Sequence, residues 1–90
     1  MQKYRDIDHD SGVSAYEYGQ DWIRVQFRDG SVYEYRSEKA GQGNINMMKQ
    51  LADAGDGLNS FINKEVKFKY SKKIRWNYRE WNRGGNILSV

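Results

Sequence analysis

Trp22-Ile-Arg-Val-Gln-Phe-Arg-Asp-Gly-Ser-Val-Tyr-Glu-Tyr-Arg36 decides the fold of this chain. Apolar residues alternate on both sides of Asp29-Gly30, as in a half-buried hairpin. Two registers compete. A two-residue loop, Asp29-Gly30, pairs Arg28 with Ser31, Gln26 with Tyr33 and Arg24 with Tyr35. Both tyrosines then lie beside polar partners on an open face, like a platform for stacking bases. A three-residue loop, Arg28-Asp29-Gly30, with Gly30 left-handed, instead pairs Phe27 with Ser31, Val25 with Tyr33 and Ile23 with Tyr35. Ile23, Val25, Phe27, Tyr33 and Tyr35 then share one apolar face, and Arg24 opposes Glu34 on the other. A one-residue slip flips every side chain, so the register consistent at every pair is favoured. In that register Tyr33 and Tyr35 are mainly structural.

Upstream, Val13 to Tyr18 reads as another strand. Its apolar set, Val13, Tyr16 and Tyr18, breaks strict alternation and predicts a bulge or twist near Ala15. Gly19-Gln20 turns it into the hairpin. Downstream, Ser37 to Gly43 is a polar connector. Ile45, Met48, Leu51 and Ala52 recur at helical spacing and predict a helix over 44–54, with Asn44 as N-cap and Gly55 as its stop. Leu58, Phe61, Ile62 and Val66 predict a second helix over 58–66. Both helices are too short to stand alone in water, so they must pack on the sheet. The expected fold is α+β: a three-stranded antiparallel meander (12–36) on two short helices, with a basic aromatic tail. Its expected core is Val13, Tyr16, Ile23, Val25, Phe27, Tyr33, Tyr35, Met48, Leu51, Leu58, Phe61 and Ile62.

Ninety residues allow one small domain. The divisions expected are a flexible arm (1–10), the α+β domain (11–70) and a C-terminal extension (71–90). There is no cysteine, so no disulfide or thiolate-metal frame supports the fold. That suits a reducing interior, and a cytoplasmic location is expected. No apolar run is long enough to span a membrane. The net charge of +3 is uneven. Residues 67–90 hold 7 Lys/Arg against 1 Asp/Glu, a net of +6, whereas residues 1–66 hold 8 against 11, a net of −3. A basic end on a slightly acidic domain points to a polyanionic partner.

The basic end interleaves cations with rings. A nucleic-acid binder needs Lys/Arg for phosphates and aromatic planes for unpaired bases. Lys67, Lys69, Lys72, Lys73, Arg75, Arg79 and Arg83 are candidates for the first role, and Trp76, Tyr78 and Trp81 for the second. The competing reading is that Ile74 and these rings fold back to cover the sheet. The two are compatible, because cations can stay outside while rings go in. Other chemistry is weakly supported. Asp6, Asp8 and Asp10 with Glu17 resemble part of a calcium loop. Gly12 is one position late, however, and too few residues precede Asp6 for an entering helix. His9 has no second nitrogen or sulfur ligand to join it. No nucleophile constellation or phosphate loop occurs, so no enzyme, cofactor or metal is expected.

The ordered set of Ile23, Val25 and Phe27, a glycine turn, Tyr33-Glu34-Tyr35, Ser60-Phe61-Ile62-Asn63 and an aromatic at Tyr70 resembles the KTSC domain. This small module occurs at the C-terminus of some lysyl-tRNA synthetases and as single-domain bacterial and phage proteins. The resemblance spans about Val13 to Tyr70. It implies a non-catalytic module, with RNA binding suggested by the attachment to a tRNA synthetase. Many members have Val-Pro after the tyrosines, where this chain has Ser37-Glu-Lys-Ala-Gly-Gln-Gly43. The tail beyond Tyr70 lies outside the module. The expected function is therefore RNA or other single-stranded nucleic-acid binding by a monomer or weak dimer. The alternative is a protein-interaction module docking through its edge strand, Val13 to Tyr18, or its Trp-rich tail.

Overall fold

The computed structural model describes residues 1–7 and 12–75. Five antiparallel strands follow one another in chain order: β1 (Gln2–Lys3), β2 (Val13–Tyr18), β3 (Trp22–Phe27), β4 (Val32–Arg36) and β5 (Lys72–Arg75). Between β4 and β5 the chain forms α1 (Ser37–Ala40), α2 (Gln42–Ala54) and α3 (Leu58–Phe61). The last runs on into a π-helical turn, Ile62–Val66.

The hairpin adopts the bulged register. Ile23 pairs with Tyr35, Arg24 with Glu34 and Val25 with Tyr33. Phe27 N–H donates to Ser31 O at 2.8 Å, and Gly30 N–H to Phe27 O at 2.9 Å. Gly30 has φ +91°, a region closed to most side chains, and this conformation closes the three-residue loop. Asp29 Oδ1 accepts from both the N–H and the hydroxyl of Ser31, at 2.9 and 2.7 Å, and fixes the turn. The platform register is thereby excluded. The β2 irregularity lies between Val13 and Ala15, where the pairing with β3 shifts.

One sheet face carries Val13, Tyr16, Ile23, Val25 and Tyr35, all buried. The helices cover it with Ile45, Met48 and Ala52 of α2, and then Leu58, Ile62 and Val66. Those spacings of three and four put each set on one helical stripe. Phe27, Tyr33, Leu51 and Phe61 pack against this core while half-buried. Ile45, Ala52 and Val66 of the predicted helical stripes complete the core, and Tyr4 and Ala40 join it from stretches the sequence reading left outside it. Gly55 ends α2 in a left-handed conformation (φ +74°), its N–H donating to Leu51 O and Ala52 O.

Among the described residues the sheet is wider than the expected three-stranded meander, and there are three helices rather than two. The added β5 comes from within the expected extension and β1 from within the expected arm. Consequently β2 is not an edge strand, because Gln2 pairs with Tyr16 and Lys3 with Ala15. The described part of the arm is also held. Tyr4 is buried, Ile7 N–H donates to Gly55 O at 2.8 Å, and Arg28 reaches the Asp6 carboxylate at 2.6 Å. Tyr4 earns its place through its hydroxyl, which accepts from Leu58 N–H at 3.3 Å. It thereby caps a helix whose preceding residue, Gly57, has no side chain to do so. The connector holds α1, and α2 starts at Gln42, two residues earlier than expected. Asn44 is inside α2, its amide donating to Ala40 O at 2.8 Å. No helix among the described residues is long and apolar enough to cross a membrane.

Candidate nucleic-acid interface

The bulged register aims Phe27 and Tyr33 to the helix side at the turn end of the hairpin. Their rings meet edge to face, with centroids 5.7 Å apart. Tyr70 closes on Tyr33 in the same manner at 4.8 Å. These rings floor an open groove of about 480 Å³ between the hairpin turn and the π-helical turn. Arg28, Asn63, Lys67 and Phe68 line its rim. Lys67 Nζ stands 5.5 Å from the Phe68 ring centre, and Lys73 Nζ 5.3 Å from that of Tyr33. Phe68 is 77 % exposed, an unusual state for a phenylalanine in a small domain. The π turn explains its position. The chain leaves Val66 through a tight turn, Lys69 N–H to Val66 O at 2.9 Å, which throws Lys67 and Phe68 outward. Such turns are rare and accumulate at functional sites.

Tyr33 and Tyr35 part company here. Tyr35 is 1 % exposed, and burial, followed by the neighbouring Tyr33 and Tyr70 phenols, pushes its hydroxyl well above the ordinary tyrosine range. It remains neutral and structural. Tyr33 is half-buried and contributes its ring to the groove.

The cations of β5 also part. Lys73 pairs with Tyr33 and lies over its ring, whereas Lys72 pairs with Glu34 and points to the sheet's other face. That face carries an ion network. Glu34 is 0 % exposed and accepts from Arg24 Nε at 2.7 Å and Arg36 Nε at 2.6 Å; Lys72 Nζ lies 3.9 Å away. Arg24 also reaches Glu17 at 3.1 Å and lies over the Trp22 ring. Burial raises the Glu34 carboxyl, but the arginine hydrogen bonds outweigh it and hold the group below the usual carboxylate range.

Of the residues expected to bind nucleic acid, Lys67 lines the groove, Lys73 borders it, Lys69 is exposed nearby and Lys72 faces away. Arg75 pairs through its backbone with Val32. Trp76, Tyr78, Arg79, Trp81 and Arg83 lie outside the described residues, as do Asp8, His9 and Asp10. The other members of the calcium-loop pattern are engaged elsewhere, Asp6 by Arg28 and Glu17 by Arg24. Among the described residues no three potential metal ligands converge. Arg28 and Asn63 are groove residues that sequence reading missed. Arg28 is hidden as a turn residue. Asn63 carries a faint signal, since it closes the Ser60–Asn63 stretch of the family resemblance.

No family model matches the chain, and comparison with curated proteins and with solved structures finds no match.

Proposed function

We propose that this protein is a non-catalytic module that binds single-stranded nucleic acid, RNA foremost, along the groove and the basic surface leading from it to the C-terminal extension. The observation that carries the reading is the meeting of Tyr33, Tyr70 and exposed Phe68 with Lys67 and Lys73 at one end of the sheet. Rings offer faces to unpaired bases, and lysines neutralise the phosphates between them. The KTSC resemblance supports the same reading, because Tyr33, Asn63 and Tyr70, which carry it, border this groove. Lys69, Arg75, Arg79 and Arg83 are the further candidates for phosphate contacts, and Trp76, Tyr78 and Trp81 for base stacking. Lys72 is assigned to the ion network instead.

Fluorescence anisotropy of labelled single-stranded RNA, single-stranded DNA and duplex DNA with the full chain, over a salt series, tests it. Single-stranded RNA should bind tightest, with log affinity falling linearly in log salt. The slope should shrink by about 0.7 for each phosphate contact removed in Lys67→Ala and Lys73→Ala. Salt-insensitive binding, or a preference for duplex DNA, would overturn the proposal.

A further inference from the structure

We infer that the helix-free face of the sheet carries a second nucleic-acid contact, a site for a backbone phosphate formed by Arg24, Arg36 and Lys72 around the buried Glu34. It goes beyond the groove and rests on the reading that the partner is a nucleic acid.

The strand register brings the charges into line. Glu17 of β2 pairs with Arg24 of β3, Arg24 with Glu34 of β4, and Glu34 with Lys72 of β5. Partners across neighbouring strands share a face, so the row crosses the side that the helices leave bare. Its signs alternate and cancel. Arg36, paired with Trp22 on the next rung, is then one cation more than the two carboxylates balance.

That surplus gathers at one atom. Glu34 Oε1 accepts from Arg24 Nε at 2.7 Å, and Arg24 also reaches Glu17 at 3.1 Å. Glu34 Oε2 instead stands between two cations, Arg36 Nε at 2.6 Å and Lys72 Nζ at 3.9 Å. Cations drawn to one oxygen repel each other, and an anion set between them relieves the repulsion. The carboxylate is sealed from solvent, whereas Arg36 and Lys72 keep 36 % and 61 % of their side chains open. A ligand can therefore reach the cations and not the acid that holds them.

Burying a carboxylate carries a desolvation cost that an apolar pair avoids, so the network is a poor device for stability alone. Its effect is orientation. Glu34 holds both guanidinium groups by Nε, which leaves the Nη groups of Arg36 for another acceptor. Arg24 is fixed further by Trp22, whose ring centre lies 4.9 Å from the guanidinium and whose indole fills the space a Cβ at Gly19 would need. A phosphate offers several oxygens at once and can accept from a guanidinium fork and an ammonium together. Cations already held in place lose little freedom on binding it.

The test is proton–nitrogen correlation NMR of the full chain, where the Nε–H signals report Arg24 and Arg36 separately. A single-stranded uridine oligomer and inorganic phosphate are titrated in turn at matched ionic strength. The oligomer should shift both signals saturably, at lower concentration than phosphate requires. The shifts should persist when Lys67 and Lys73 are both replaced by alanine, because the groove lies on the opposite face. Lys72→Ala removes the cation farthest from Glu34, so the fold should hold, and the salt slope of oligomer binding should fall by about 0.7. Arginine signals that stay still while the groove residues respond, or an unchanged slope in Lys72→Ala, would overturn this inference and leave the groove reading standing. Phosphate saturating the arginines as readily as the oligomer would mark a site for free anions and overturn it too. Silence at both faces would overturn both readings.

Discussion

Glu34→Gln isolates the interaction that most distinguishes the helix-free face. The substitution keeps the volume and removes the charge. Glu34 is fully buried and accepts two short hydrogen bonds from guanidinium groups, at 2.7 and 2.6 Å. A hydrogen bond to a charged group contributes about 1.5–3 kcal/mol net. Arg24 and Arg36 are 34 % and 36 % exposed, so water compensates part of their loss and the low end applies. Lys72, at 3.9 Å and 61 % exposed, adds little. Glutamine keeps one oxygen for one arginine and turns its amino group toward the other, donor against donor. One charged bond is lost and the second is weakened, for a total of about 2–3 kcal/mol. In a domain of this size that corresponds to a fall in Tm of roughly 10–20 °C. Urea titration at neutral pH measures it directly, and the slope of the transition should not change. The pH dependence is a second signature. The folded carboxyl sits below its ordinary value, so the native state binds the proton more weakly than the unfolded chain does. Its contribution is complete above the unfolded pKa and is lost as the pH falls through the folded one. The gap between wild type and Glu34→Gln should therefore narrow as the solution is acidified past the ordinary glutamate range. A variant within about 0.5 kcal/mol of wild type at neutral pH, or a gap independent of pH, would refute the reasoning.

Three further outcomes follow from other parts of the molecule. Gly30→Ala places a Cβ at φ +91°, and urea unfolding should show a loss of about 1–2 kcal/mol; an unchanged midpoint would mean that the turn relaxes to another register. Phe68→Ala should weaken single-stranded RNA binding by about 1–3 kcal/mol while moving stability by less than about 0.5 kcal/mol, and the reverse pattern would make Phe68 structural. Tyr16 is pushed up to about 12 by burial and by its hydrogen bond to Asp53 at 2.8 Å. Its contribution to stability should persist below about pH 10 and vanish as the pH rises through its folded pKa. In Asp53→Asn, ultraviolet titration should show that phenol ionising at lower pH.

The central hairpin could be read because every cross-strand pair votes on its register. Val25 with Tyr33 and Arg24 with Glu34 are compatible only when Gly30 closes a three-residue loop. The helical stripes could be read because Ile45, Met48 and Ala52, then Leu58, Ile62 and Val66, repeat at the helical period. The two outer strands were illegible for a physical reason. β1 has only two residues, and β5 is three-quarters cationic, so neither shows alternation. Lys72 pairs with Glu34 across the sheet, a partner that local pattern cannot reveal. Tyr4 likewise looks like one ring in a polar arm, and its role depends on Leu58, far along the chain. The groove was half legible. Lys67 and Lys73 stood out by charge, but Lys67 reaches the groove through a π turn that periodicity does not announce, and Lys73 through the pairing of β5 with β4.

The composition of the outer strands bears on how readily two copies could pair edge to edge. An unpaired strand edge is a template on which a second sheet can grow, and fibrils start there. At one border β1 offers only two residues. At the other, Lys72 and Lys73 make the border cationic, so two copies approaching edge to edge would repel each other. The same lysines that hide β5 from sequence pattern thus work against growth of the described sheet at that border.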